Sequence, residues 1–286
     1  MAFRFNPKLT LVPHGGLGNR MRAIDSAITL SHKLQKQLTV IWLENTPQLR
    51  CPFDKLFQPI PQVNITSPQL TSIYLNPQTN HGSSQLKQSF LSLTAKVFQQ
   101  INFQKVIDND EVIQLIKNNR LETLANYQSL MIWTDRSFYP DNTYGLFKPI
   151  PVLEKAIRTR TADFGNYTVG IHIRRGDHRK SIQHSPLDLF RDAIAQEITQ
   201  NPDTNFYLAS DSLQVKHQLI KEFGDRIITQ LAATSRNNEQ GMQAAVLDLY
   251  ALSRTRKIYG SYWSSYSRVA ANISNIDLII LNAPTP

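Results

Sequence analysis

The chain has 286 residues, enough for one large domain or two ordinary ones, and its 41% hydrophobic and 19% charged residues supply a sizeable core. Its only cysteine, Cys51, excludes an internal disulfide, and no apolar run reaches membrane-spanning length. The net charge of +9 and pI near 9.6 favour anionic partners, but the basic residues are dispersed and no nucleic-acid fold signature occurs, so nucleic acid is not the expected partner.

In chain order, Leu9 to Val12 reads as a first strand, followed by the glycine loop His14-Gly15-Gly16-Leu17-Gly18-Asn19. Met21, Ile24, Ala27, Ile28 and Leu34 then recur at helical spacing and predict a helix over 19–36. Strand, glycine loop and helix together bring backbone N–H groups and a positive helix end to an anion. Met21 stands where a dinucleotide fingerprint needs a small residue, and the Lys-Ser/Thr pair of a P-loop is absent, so a plain tight turn stays open. Leu38 to Trp42 is a second strand, apolar or β-branched throughout as in a parallel sheet.

Frequent prolines over 46–80 predict irregular connections with short strands at Gln62–Thr66 and Ser72–Leu75. The polar stretch 81–88 reads as a loop, 89–100 as a helix and 109–126 as another. Ser129 to Trp133 is a buried strand ending at Thr134-Asp135-Arg136, and turn residues over 141–151 place a domain connection there. The expected domains are therefore 1–150 and 151–286.

The second half alternates more clearly. Helices are expected over 151–162, 187–200, 215–223, 241–253 and 266–273. Strands are expected at Tyr167–Ile173, Asn205–Ala209, Arg226–Thr229, Lys257–Gly260 and Asp277–Asn282. Gly224 takes the helix C-cap role. Repeated βα units mean an α/β protein with doubly wound parallel sheets.

Chemistry-bearing residues gather at the strand ends. Tyr167, Val169, Ile171 and Ile173 alternate along a strand that ends in Arg174-Arg175-Gly176-Asp177. An arginine fork there can hold a phosphate oxygen, Gly176 permits a sharp turn and Asp177 can lock it. Asp211 follows its strand directly and can accept from a ribose hydroxyl or a base N–H, or cap the next helix. Ser264 and Ser265 precede a helix, where hydroxyls and unpaired N–H groups can cradle a phosphate, or Ser265 is a plain N-cap. His172 is a core histidine or a nucleotide contact. The seven histidines are scattered and predict no metal site.

Four of these motifs resemble the GDP-fucose-dependent fucosyltransferase superfamily, which includes bacterial α-1,2-, nodulation-factor and core α-1,6-fucosyltransferases and the protein O-fucosyltransferases. His172-Ile173-Arg174-Arg175-Gly176-Asp177 resembles its His-x-Arg-x-Gly/Thr-Asp motif, and Gly15-Gly16-Leu17-Gly18-Asn19 its N-terminal glycine loop. Phe206 to Ser212 resembles its Tyr-Leu-Ala-Ser/Thr-Asp strand. Val246 to Ser253, followed by Ser264-Ser265-x-Ser-x-x-Ala, resembles its last motif. The four occur in family order over residues 14–271. The chain departs from the pattern at Arg20, where many relatives carry Gln or Cys, and residues 45–150 match nothing nameable.

The resemblance implies a GT-B-like architecture of two Rossmann-like domains facing across a cleft. The N-terminal domain would be the acceptor side and the C-terminal domain the nucleotide-sugar side. It implies an inverting, metal-independent transferase that uses GDP-fucose as donor substrate, needs no cofactor, and serves a glycan or other hydroxyl acceptor. The expected compartment, read from the single cysteine and an N-terminus without a signal-peptide apolar region, is the cytoplasm. Arg174 would be catalytic. His172, Arg175, Asp211, Asp248, Ser264 and Ser265 would bind the donor, with Asp248 reading the guanine or orienting a neighbour. No base for the acceptor hydroxyl is evident. The alternatives are a GT-B enzyme using another nucleotide sugar, or a non-catalytic sugar-nucleotide or glycan binder. Peripheral membrane contact stays compatible with the +9 charge.

Overall fold

The computed structural model describes residues 7–67, 85–176, 179–231 and 235–283, with the side chains of 85–92 excepted. The chain divides into two compact units, Met1–Lys148 and Pro149–Pro286. Each is built on a five-stranded, wholly parallel sheet with helices connecting the strands. Among the described residues no helix is long and apolar enough to cross a membrane.

Unit 1 runs β1 (Lys8–Pro13), α1 (Leu17–Lys33), β2 (Gln37–Ile41), β3 (Val63–Thr66), α2 (Gln85–Asn102), β4 (Lys105–Ile107), α3 (Asn109–Lys117) and β5 (Ser129–Thr134). Its strand order is β3-β2-β1-β5-β4. β1 is buried at every position after Lys8, as expected for a strand with neighbours on both sides. Two expectations need correction. Residues 85–88 belong to α2 and not to a loop: glutamine, leucine and lysine are good helix formers, and polarity alone does not make a loop. The helix expected over 109–126 stops at Lys117, because Asn119 turns left-handed at φ 51°. There Arg120 N–H bonds Leu115 O and Asn119 N–H bonds Ile116 O, the two bonds of a Schellman stop. The chain resumes only as a 3-10 turn, Leu121–Asn126. β4, at three residues, is too short to leave a periodic signal. The strand expected at 72–75 lies outside the described residues, as does Asp177.

Unit 2 runs α4 (Pro151–Arg160), β6 (Thr168–Ile173), α5 (Arg179–His184), α6 (Leu187–Gln200), β7 (Asn205–Ser210), α7 (Leu213–Phe223), β8 (Ile227–Ile228), α8 (Glu239–Ser253), β9 (Lys257–Ser261), α9 (Ser265–Ser274) and β10 (Asp277–Leu281). Its strand order is β10-β9-β6-β7-β8. Every residue of β6 is buried. Alternation sends Val169, Ile171 and Ile173 into a core shared with Phe190, Ile194, Val215 and Leu219 from α6 and α7. Each such side chain contributes roughly 1.5–3 kcal/mol by leaving water. The opposite face of β6 carries Gly170, His172 and then Arg174. Gly170 has to be small, since a Cβ there would lie 2.7 Å from Thr255 Oγ1 and 3.1 Å from Leu252 of α8.

In each sheet the order of strands reverses direction at one place, between β1 and β5 in unit 1 and between β6 and β9 in unit 2. Open α/β sheets bind ligands outside the carboxyl ends of the strands at that switch point. The glycine loop follows β1, Arg174 and Arg175 follow β6, and Ser264 and Ser265 follow β9.

Candidate active site

In unit 2 the ends of β6 and β9 are tied together. The N–H of Arg174 donates to Ser261 Oγ at 3.0 Å, and that hydroxyl donates to His172 O at 3.3 Å. Sequence alone does not single out Ser261, which reads as part of a turn, yet it sets the relative height of the two strand ends. The Arg174 carbonyl is held as well, by Arg175 Nη1 at 3.0 Å and by Ser181 Oγ at 3.4 Å. The arginine backbone is thus pinned from both sides.

Period-two alternation separates the two arginines. Arg174 continues the His172 face. The Arg175 guanidinium instead lies over the Phe190 ring of α6, 6.0 Å from its centroid, and burial pulls its pKa down while nearby Asp211 pulls it up. Asp211, one residue past β7, accepts the Arg175 N–H through Oδ1 at 2.7 Å. A Cβ on Gly176 would lie 2.8 Å from Asp211 Oδ2, so the glycine expected to permit a sharp turn is where a carboxylate closes on the backbone. Asp211 therefore clamps the turn behind the arginines.

His172 is 8% exposed and its ring sits 4.9 Å from that of Tyr266 in α9. Burial draws its pKa down to about 4, against Asp211 and with Arg174 and Arg236, so the imidazole is neutral at pH 7. Its Nδ1 has no partner among the described residues. Asp248 belongs to α8, is 3% exposed and accepts the Tyr207 hydroxyl at 2.6 Å. Burial raises its pKa, while Tyr207, Lys216 and Gln230 act the other way.

Ser264 is the N-cap of α9, but its side chain makes no capping bond, and its buried Oγ has no partner among the described residues. Ser265 opens the helix, half-buried. An unused buried hydroxyl beside the first N–H groups of a ten-residue helix suits an anionic oxygen. Next to it Trp263 is left-handed (φ 57°), 56% exposed and covered by Lys180 Nζ at 4.7 Å from its ring.

The glycine loop belongs to unit 1. Gly15 is left-handed (φ 79°), and Asn19 Nδ2 lies 2.7 Å from where its Cβ would be. Gly16 is extended and is the N-cap of α1; Gly18 is buried in the helix. Arg20, where the sequence departs from the resembling pattern, is fully buried. Its Nε donates to Gly15 O (3.0 Å), Nη1 to Leu43 O (2.7 Å) and Nη2 to Thr46 Oγ1 (2.9 Å), and its guanidinium lies over Trp42. It is the brace that holds the loop's backbone. A Cβ at Gly16 would meet nothing within 4 Å. Gly16→Val should therefore leave the melting temperature within about 2 °C of the parent, as surface changes do. A thermal melt of the variant beside the parent checks this.

Among the described residues no three His, Cys, Asp or Glu side chains are gathered as metal ligands. No known family profile matches the sequence, and no curated protein matches it. Solved structures do match. NodZ alpha-1,6-fucosyltransferase, solved after soaking with GDP-fucose, superposes with a TM-score of 0.62 at 15% identity, over 94% of this chain and 93% of that one. A point mutant of Arabidopsis thaliana FUT1 in complex with GDP gives 0.64 at 13% identity, over 98% and 71%. POFUT1 in its apo form gives 0.55 at 10% identity, over 98% and 99%. At these identities the likeness is one of fold: the chain has the α/β, GT-B-like fold of these fucosyltransferases.

Proposed function

We propose that the chain is an inverting glycosyltransferase that moves L-fucose from GDP-fucose to a hydroxyl of a glycan or other acceptor. Unit 2 holds the donor and unit 1 the acceptor. The observation that carries this reading is the junction of β6 and β9. There Arg174, the Ser264 hydroxyl and the start of α9 stand together at a switch point, where a diphosphate would sit. That proteins of this fold have been solved with GDP-fucose or GDP supports the choice of nucleotide.

The chemistry follows from charge. As the bond from C1 to the β-phosphate breaks, negative charge grows on the leaving GDP. A guanidinium and helix N–H groups at that place would stabilise the charge. In this reading they do so without a metal. Neutral His172 would meet a base edge by hydrogen bonding instead of by charge. The compartment we assign is the cytoplasm, consistent with a lone, buried Cys51.

GDP without Mg²⁺ should raise the melting temperature. At 100 times the Kd a ligand adds about 2.7 kcal/mol, or roughly 5–10 °C for a domain this size. An equal shift with UDP would favour the transferase reading with another nucleotide sugar. A shift only with metal present would remove the metal-free mechanism. Release of GDP from GDP-fucose separates an enzyme from a binder.

A further inference from the structure

Among the described residues six non-glycine positions have a left-handed backbone, and five of them are Gln35, Gln62, Asn119, Asn142 and Asn275. Asparagine is enriched in that conformation, because a short polar side chain can bond locally. The sixth is Trp263, at φ 57°. A bulky ring there is an outlier that costs free energy, and such outliers gather at ligand sites. Burial does not offset the cost, because Trp263 is 56% exposed. Glycine would serve the fold of unit 2 as well at this position.

The surroundings hold the outlier in place. Each residue from Ser261 to Trp263 is tied to the segment that follows β6. Ser261 Oγ accepts the Arg174 N–H at 3.0 Å. The Tyr262 N–H donates to Ser185 Oγ at 2.7 Å, and that buried hydroxyl donates to Leu281 O of β10. The Tyr262 ring rests against His184, with centroids 4.6 Å apart, and meets the Trp263 ring edge-on at 5.8 Å. Lys180 Nζ lies 4.7 Å from the Trp263 ring centroid, a contact that itself holds the indole. Lys180 adjoins Ser181, whose hydroxyl donates to Arg174 O at 3.4 Å. The indole is thus anchored to the turn that carries Arg174.

Trp263 also immediately precedes Ser264, whose buried hydroxyl stands at the start of α9, where the β-phosphate would sit. Consecutive Cα atoms are about 3.8 Å apart, so a sugar bonded to that phosphate is within reach of residue 263. An indole offers an apolar plane and no acceptor. Such a plane suits the C–H face and the methyl group of a 6-deoxy sugar, and it leaves a hydroxyl in the same place without a partner. We propose that Trp263 is a specificity-determining residue of the donor site: the sugar of the nucleotide sugar rests on its indole, which favours a 6-deoxy sugar over its 6-hydroxy counterpart. This rests on the transferase reading and lies wholly within unit 2.

The test is the affinity of GDP, GDP-fucose and GDP-L-galactose by calorimetry with no acceptor present. The two sugars differ only by the hydroxyl on C6. The parent should bind GDP-fucose roughly tenfold or more tightly than GDP-L-galactose, within the range that one such group gives in an apolar site. Trp263→Ala should bring the two within about twofold of each other and change GDP affinity less than about twofold. Trp263→Phe keeps an apolar ring and should keep most of the preference. Trp263→Gly guards against a folding artefact: it removes the left-handed strain, so it should melt within about 2 °C of the parent or above it, and it should lose the preference as alanine does. A folded alanine or glycine variant that keeps the parent's preference overturns the proposal. So does a glycine variant that melts well below the parent, since the ring then serves the fold, and so does a loss of GDP affinity equal to that of GDP-fucose, since the ring then serves the nucleotide. A parent that binds none of the three sinks the transferase reading itself. A parent that binds GDP but does not distinguish the two sugars overturns only the role of Trp263.

Discussion

Arg174→Ala is expected to lower donor turnover by ~10²–10³-fold, the usual loss when one donor to a developing oxyanion is removed. The expectation is specific because the backbone at this position does not depend on the side chain. The Arg174 N–H is tied to Ser261 and its carbonyl to Arg175 and Ser181, so truncation leaves the end of β6 where it was. The residue is also only half-buried, beyond the last buried position of the strand. Circular dichroism should therefore report an intact fold. GDP affinity should fall much less than turnover, because the charge that the arginine meets is greatest as the bond breaks.

Arg174→Lys sharpens the point. It keeps the charge but loses the planar fork, and it should remain severely impaired. Arg175→Ala should hurt less, because the Arg175 guanidinium lies over Phe190 on the opposite side of the sheet and its loss is one of packing. Turnover of GDP-fucose by the three variants, including slow hydrolysis, decides this. A folded Arg174→Ala enzyme at near-normal rate would take the central residue out of the mechanism.

Most of the architecture is legible in the sequence because parallel strands buried on both faces leave continuous apolar runs. β1, β5 and β7 are of this kind, while β6 shows itself by alternation. What escapes is short or polar: β4 with three residues, α5 with six, and the first turn of α2. The site is legible to the extent that it is written in consecutive residues. Arg174 and Arg175 can be assigned to opposite faces from alternation alone. Their partners cannot, because they are distant in sequence. Nothing in a serine at the end of β9 says that it will meet the N–H of Arg174, 87 residues away. Asp248 is the reverse case. A motif position suggests a ligand contact, and only the geometry reveals the Tyr207 hydroxyl bonded to it.

Arg20→Ala is expected to destabilise unit 1 by about 3 kcal/mol or more, a far larger loss of stability than Gly16→Val or Arg174→Ala should bring. Truncation removes the donors to Gly15 O, Leu43 O and Thr46 Oγ1. The acceptors that lie in the interior then face a cavity, and each unsatisfied buried polar group costs ~1–3 kcal/mol. The stacking on Trp42 is lost as well. Burial draws the Arg20 pKa down to about 9, which still leaves the group charged at pH 7. Arg20→Lys keeps that charge, but a single ammonium cannot span three acceptors arranged around a planar fork, so it should restore less than half of the loss. Arg20→Gln can donate to one or two of them and should fall between alanine and the parent. Urea unfolding of the three variants, followed by the fluorescence of Trp42 and Trp133 in unit 1, measures the order. If alanine proves as stable as arginine, Arg20 is not the brace of the glycine loop. If alanine is unstable but lysine equals the parent, charge alone and not the fork is what the loop requires.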